Sequence, residues 1–166
     1  MDINTVTRDI LKWSETFVEV PHPALGGWPP CPFARQARLR GTVGVFIGRD
    51  PYFDLESRAA QGMQQYEVVI YAYDPSEWTR DIFSPRLQAA NRDFLLAADL
   101  IVLEDHPDDV EDVNGVIMNQ GQYALSLVQS LSDLDQRARQ MAHKGFYHDW
   151  PEDYLQGLFE NRQDPR

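Results

Sequence analysis

The sequence holds a single cysteine, Cys31, among its 166 residues, so no disulfide can form within the chain. A chain without internal disulfides fits a reducing compartment, which favours a cytoplasmic location. No apolar run approaches the roughly 18 residues needed to span a membrane, and no membrane partner is expected. Residues 1–13 carry Asp2 and Asp9 in a helical pattern, without the basic start and unbroken apolar stretch of a secretory signal.

Several motifs of well-known enzyme classes are missing. The chain has no glycine-lysine phosphate loop, no glycine fingerprint for dinucleotides and no Gly-x-Ser-x-Gly turn. It also has no paired-cysteine zinc motif. These absences disfavour nucleotide-dependent enzymes and serine hydrolases.

Basic residues are far fewer than acidic ones. The 15 Lys and Arg against 26 Asp and Glu give a formal net charge of −11. A negative field of that size repels phosphate backbones, so no nucleic-acid partner is expected. The length predicts a single domain over 1–166, long enough to enclose a core without disulfides or metal, with a loose polar tail over 160–166.

Hydrophobic patterning predicts helices that alternate with strands. Apolar residues at helical spacing predict helices over 2–20, 32–39, 55–65, 86–97, 122–143 and 152–159. Runs of β-branched and aromatic residues predict strands over 42–47, 67–73 and 100–103, with an edge strand over 116–118. The pattern indicates an α+β fold with α/β-like alternation, in which the first helix and the long C-terminal helix cover a small sheet. A ferredoxin-like sandwich is the first expectation and a small parallel sheet is the alternative.

The first cluster that carries chemistry surrounds Cys31. Pro32 suits the first position of a helix, which would place Cys31 at the N-cap, where the helix dipole and free N–H groups favour a thiolate. Arg35 and Arg38 follow closely, and four arginines precede Asp50 with no acid after Cys31. Guanidinium groups match carboxylates and phosphates, so this segment predicts a site for a small anionic substrate. The alternative is a buried, inert cysteine with arginines paired to surface acids.

Acidic residues and a histidine follow the apolar run 100–103. His106 is the natural proton carrier near neutral pH, and Glu104 or Asp105 would orient it. These three side chains are also ligand types for a divalent metal, although the spacing of the acids in 104–112 matches no calcium loop. The alternative is a solvated acidic loop in which His106 only packs or caps.

Amide side chains precede the predicted helix over 122–143. Asn119 and Gln120, with the first N–H groups of that helix, would steady a developing oxyanion. Ordinary helix capping by either residue is the alternative. Trp28, in a segment rich in proline and glycine, is assigned to substrate binding, and the aromatic residues of 146–154 either close a pocket or lock the C-terminus onto the body.

The order of these segments resembles a bacterial family known only as a domain of unknown function. Its members carry Leu-Cys-Pro-Phe-Ala, Phe-His-Pro and Asn-Arg-Ser-Pro-Tyr-Pro motifs after a tryptophan-bearing helix. Over 13–134 this chain has a Cys-Pro-Phe-Ala motif at 31–34 and a His-Pro pair at 106–107. It departs at 118–123, which lacks the arginine and prolines, and at 29–30, where Pro-Pro replaces Asn-Leu. The resemblance implies no activity and only that Cys31, His106 and Asn119 belong to one site.

Three functions follow as hypotheses. The first is an enzyme with Cys31 as nucleophile or redox group, His106 as base and Asn119 at the oxyanion, acting on acyl or amide bonds without a cofactor. The second is a metal-binding protein or metalloenzyme that uses Glu104, Asp105 and His106. The third is a non-catalytic protein-binding module, in which Cys31 and His106 lie far apart. A homo-oligomer is compatible with each.

Overall fold

The computed structural model describes all residues, Met1 to Arg166. The helices are α1 (Ile3–Trp13), α2 (Ala34–Arg40), α3 (Pro51–Gln61), α4 (Arg80–Ala90), α5 (Leu131–His143) and α6 (Glu152–Leu158). The strands are β1 (Val43–Ile47), β2 (Val68–Tyr73), β3 (Leu100–Asp105), β4 (Asp112–Val113), β5 (Val116–Ile117) and β6 (Ala124–Ser130). No helix combines the length and apolar character required to cross a membrane.

Four strands form a mixed sheet in the order β1-β2-β6-β3, and β4 and β5 form a separate small hairpin. β1 pairs with β2 in parallel, whereas β6 runs antiparallel to both β2 and β3. Because β1, β2 and β3 therefore point the same way, their carboxyl ends lie at one edge of the sheet. The predicted α+β class is confirmed, and the finer ferredoxin-like arrangement is not, since the parallel β1–β2 pair is no part of that sandwich.

The two faces of the sheet are covered by different helices. Alternate side chains of β2 point to opposite faces, as expected of a strand buried on both sides. Val69, Tyr71 and Tyr73 pack against α3 and α4, in one buried cluster with Leu55 and Phe83. Ile70 and Ala72 face α1, whose Val6 and Ile10 are buried against them.

A third cluster builds the C-terminal part of the molecule. It joins α5 and α6 to the segment around Leu25 and to β4, through the buried residues Leu25, Val113, Ala138, Met141, Phe146, Trp150, Leu155 and Phe159. The aromatic segment 146–154 lies mostly within this cluster and its rim, so it locks the chain end onto the body. The polar tail is held as well, because Arg162 pairs with Asp135 of α5.

The helix predicted over 122–143 is wrong in its first half. Residues 124–130 form β6, and α5 begins only at Leu131 after Ser130, whose hydroxyl accepts a hydrogen bond from Asp133 N–H. β6 lies between β2 and β3, so both of its faces pack against other parts of the protein. Its apolar residues therefore do not alternate strictly with polar ones. A fully buried central strand cannot be distinguished from a helix by periodicity.

The ring of Tyr73 approaches the backbone at Gly48, which follows β1, so closely that no side chain fits there. A Cβ atom at this position would lie 2.0 Å from Tyr73 Cε1, and Tyr73 is fully buried. We expect Gly48→Ala to lower the free energy of unfolding by about 3 kcal/mol, at the upper end for overpacked cores. Urea unfolding measures this effect. Gly157→Ala is the control, because its Cβ meets no atom within 4 Å and alanine favours the helix; equal losses for the two variants would contradict the steric explanation.

Candidate functional site

Cys31 lies in an apolar environment between the sheet, α1 and α2. It lines a cavity of about 110 Å³ together with Ile10, Val68 and Leu127. Burial raises the pKa of the Cys31 thiol, and the backbone N–H groups of Phe33 and Ala34 oppose that rise only in part. The prediction of a thiolate at a helix N-cap is therefore wrong: α2 starts at Ala34 with Phe33 as its N-cap, and desolvation outweighs the nearby N–H groups.

The arginines after Cys31 do not surround the thiol. Arg38 donates to both carboxylate oxygens of Glu19, at 2.7 and 2.9 Å. Arg40 pairs with Glu67 at 3.2 Å, and Arg35 is exposed on α2. Two of the four arginines that follow Cys31 in the sequence are thus paired with acids from other segments.

His106 is fully buried at the carboxyl end of β3. Its Nδ1 accepts a hydrogen bond from Asp108 N–H at 3.1 Å, so Nε2 carries the proton and donates to the Trp78 carbonyl oxygen at 2.9 Å. The ring also packs against Phe83, with centroids 5.8 Å apart. Both nitrogen atoms are therefore used to join the loop after β3 to the loop after β2.

The structure does not bring Cys31 and His106 together. The Cys31 cavity is on the α1 face of the sheet, where Ile70 and Leu127 form part of its wall. His106 packs on the opposite face against Phe83. A four-stranded sheet separates the predicted nucleophile from its predicted base, and the shared site implied by the family resemblance is not formed.

The remaining predicted site residues are scattered. Trp28 belongs to the C-terminal cluster, where its ring meets Phe146 edge-on at 5.9 Å. Gln120 donates to the carbonyl oxygen of Ile117 and caps no helix, because a strand follows it. Asn119 lies beside Asp105, and its side-chain oxygen is buried without a hydrogen-bond donor.

Glu104, Asp105 and His106 do not form a metal site. No three or more His, Cys, Asp or Glu side chains are arranged to hold a metal ion. Glu104 accepts a hydrogen bond from Ser84 Oγ at 2.5 Å, and His106 has no free nitrogen atom. Successive residues of a strand point to opposite faces, which keeps neighbouring ligand types apart.

The most distinctive surface feature is a cleft of about 480 Å³ along the open edge of β3, between α4 and α6. Four carboxylates line it, and we call it the acidic cleft: Glu104, Glu111, Asp153 and Glu160. No Lys, Arg or His side chain lines it, and none of the four carboxylates takes part in an ion pair. Apolar side chains also line it, among them Leu87, Ile101, Leu103 and Leu158.

Buried acids adjoin the acidic cleft. Burial raises the pKa of Asp105 to about 7, with Glu111, Asp109 and Glu104 adding repulsion and the Asn119 amide opposing it. Burial, and next the charge of Asp109, raises the pKa of Glu111, although it accepts a hydrogen bond from Tyr154 Oη at 3.3 Å. The negative charge in this region is therefore held at an energetic cost, which a bound cation would reduce.

Sequence reasoning missed the α6 side of this cleft. The sequence predicts the acidic segment 104–112, but it places Asp153, Tyr154 and Glu160 only in a terminal helix or tail. The available signal was the spacing of Asp153 and Gly157, four residues apart on one helix face. That spacing does not indicate that this face of α6 lies opposite the edge of β3.

The edge of β3 is partly closed to further strands. Asn91 Nδ2 donates to the Val102 carbonyl oxygen at 3.1 Å, and Asn91 Oδ1 accepts from Val102 N–H at 2.9 Å. This amide takes the place of a neighbouring strand at the middle of the edge. The acidic cleft therefore presents side chains rather than a free row of backbone groups.

No protein-family model matches the chain, and no curated protein or solved structure matches it either.

Proposed function

We propose that this protein is a non-catalytic binding module that takes a basic segment of a protein partner into the acidic cleft. One observation carries the proposal: four carboxylates line a cleft that contains no cationic side chain and no ion pair. Most charged side chains in folded proteins are exposed or paired, so four unneutralised acids around a concave surface favour a cationic ligand.

The shape and chemistry of the cleft fit arginine or lysine side chains. The apolar lining residues would contact their methylene stems, while the charged heads meet the carboxylates. Arginine fits best, because its planar guanidinium forms paired hydrogen bonds with a carboxylate. The volume of about 480 Å³ is within the range of ligand pockets and suits one or two such side chains.

The partner segment is expected to bind through side chains and not as an added strand. Asn91 already satisfies both backbone groups of Val102 at the edge of β3. An added strand could pair with Val102 only by displacing that amide, and the buried Asn91 side chain would then lose both of its hydrogen-bond partners. A flexible basic segment that becomes ordered only on binding can place its side chains in the cleft without pairing with the backbone of β3.

The experiment measures binding of a fluorescein-labelled Gly-Arg-Gly-Arg-Gly peptide by fluorescence anisotropy, with a citrulline peptide of the same length as the uncharged control. The cleft variant is Asp153→Asn with Glu160→Gln, two exposed acids of the cleft. The matched variant is Glu56→Gln with Glu77→Gln, which removes the same charge from exposed acids elsewhere.

We expect the cleft variant to weaken arginine-peptide binding about tenfold, since two partly screened ion pairs of about 0.7 kcal/mol each are lost. The matched variant is expected to stay within about twofold of the unaltered protein, and the citrulline peptide not to bind. Equal weakening by both variants would assign binding to the net charge and reject the cleft. Absence of binding by the unaltered protein at millimolar peptide would reject the proposed function.

A further inference from the structure

A second cavity, on the other face of the sheet, is independent of the acidic cleft. It is the space of about 110 Å³ that Cys31 lines, and we call it the thiol cavity. Its walls are apolar side chains from three layers of the molecule, among them Ile10 of α1, Ala37 of α2, and Val68, Ile70 and Leu127 of the sheet. The half-buried Cys31 side chain shows that this cavity is open to solvent on one side, so a ligand can enter it.

The charged groups at this cavity neutralise each other. Arg137 pairs with Glu67 at 3.2 Å, and its guanidinium also stacks on Phe33, 5.2 Å from the ring centroid. The Arg137 and Glu67 side chains are 31% and 25% exposed, so they mark the solvent-facing end of the cavity. A ligand that enters past them meets no uncompensated charge, which disfavours ions and favours neutral molecules.

We infer that the thiol cavity is a binding site for a small, neutral, apolar molecule of about five or six non-hydrogen atoms. Its size supports this class, because an apolar cavity of roughly 150 Å³ in another protein stays dry and binds benzene. An apolar ligand would gain the van der Waals contacts that the cavity walls now lack. Cys31, as a neutral thiol in the wall, contributes a polarizable apolar surface.

Cys31 supplies the readout, because it is the only cysteine of the chain. The experiment follows alkylation by iodoacetamide at pH 9, in which the sulfur forms a bond to carbon and iodide leaves. Benzene is the probe, and benzoate is the charged control of similar shape. We expect saturating benzene to slow the alkylation of Cys31 at least fivefold, and benzoate to change the rate less than twofold.

Two variants distinguish the cavity from general solvent effects. Ala37→Leu, at a buried position of α2, fills the cavity and is expected to abolish protection by benzene. Gln36→Leu adds the same side chain at the neighbouring exposed position and is expected to keep it. Protection that survives Ala37→Leu, or no protection in the unaltered protein, would overturn the inference.

A measurement on the unaltered protein covers the case in which Ala37→Leu does not fold. Nuclear Overhauser effects between benzene protons and the methyl groups of Ile10 and Leu127 are expected, because both side chains line the cavity. Effects confined to the exposed apolar side chains Leu39 and Phe53 would reject the site.

Discussion

Replacing Arg162 by methionine is expected to lower the free energy of unfolding by about 3 to 5 kcal/mol. Arg162 Nε donates to Asp135 Oδ1 at 3.1 Å, and the two side chains are only 3% and 10% exposed. The guanidinium also stacks on Phe159, 5.0 Å from the ring centroid. Removing one partner leaves a buried carboxylate without its counter-charge, which is the costly way to break such a pair.

The matched control is Arg92→Met, the same chemical change in an ion pair whose arginine side chain is 72% exposed. We expect it to change the free energy of unfolding by less than about 1 kcal/mol. Urea denaturation followed by tryptophan fluorescence measures both variants. The double variant Arg162→Met with Asp135→Leu is expected to recover much of the loss, because it removes both charges. A double variant less stable than Arg162→Met would contradict the assignment of the loss to an unpaired charge.

The Arg162–Asp135 pair also connects stability to the acidic cleft. It holds the segment after α6 against α5, and α6 together with this segment provides one wall of the cleft through Asp153, Tyr154 and Glu160. Loss of the pair would free that wall before the central sheet is affected. Arg162→Met is therefore expected to weaken peptide binding at temperatures at which the sheet is still folded.

The strands that the sequence predicts best are those with one possible interpretation. β2 is a short run of β-branched and aromatic residues, and its predicted range of 67–73 differs from Val68–Tyr73 by one residue. β6 was missed because Ala124, Leu127, Val128 and Leu131 also fit a helical face. The choice between strand and helix depends on β2 and β3 being its neighbours, and local sequence does not contain that information.

The candidate site shows the same limit. The acidic run around Glu111 is visible in the sequence, which assigns it either to a divalent metal site or to a solvated loop. Its partners on α6 lie about forty residues away, and which acids remain without a counter-charge depends on where each arginine folds. Arg38 and Arg40 illustrate this point, since both are taken up by acids remote in sequence, Glu19 and Glu67.

The separation of Cys31 from His106 has a physical cause that the sequence hides. His106 directly follows β3 and Cys31 lies three residues before α2, and neither position in the sequence determines which face of the sheet the side chain meets. The alternation of side chains along β2 sends Ile70 to one face and Tyr71 to the other. Because a single residue of register decides the face, a shared catalytic site was no more predictable than its absence.

Asp105→Asn is expected to make the protein more stable at pH 8 and to flatten the dependence of its stability on pH. In the unfolded chain Asp105 loses its proton near its ordinary pKa of 3.8, whereas burial keeps it protonated in the folded protein up to a pKa of about 7. Between these pH values the folded state binds more protons than the unfolded state. The contribution of Asp105 to the free energy of unfolding therefore falls as the pH rises from about 4 to about 7.

The size of the effect follows from the two pKa values. Their difference corresponds to about 4 kcal/mol, which is an upper limit because the surroundings relax when the carboxylate ionises. The neutral form is favoured for a local reason: Asp105 Oδ1 is buried without a hydrogen-bond donor, so an ionised carboxylate there lacks a partner for its charge. Asparagine has almost the same shape and carries no charge at any of these pH values.

Urea unfolding at pH 5, 6, 7 and 8 compares Asp105→Asn with the unaltered protein and with Asp108→Asn. Asp108 is an exposed acid three residues further along, so the same substitution there is expected to change the free energy of unfolding by less than about 0.5 kcal/mol at every pH. The four histidines are present in the unaltered protein and in both variants. Subtracting the free energy of unfolding of the unaltered protein therefore removes the contribution of their titration. The gain from Asp105→Asn should be smallest at pH 5, at roughly a third of its full size, and grow until about pH 7 to 8. A gain that is constant across this range would mean that Asp105 ionises alike in both states, and the desolvated carboxylate behind the acidic cleft would then have no thermodynamic effect.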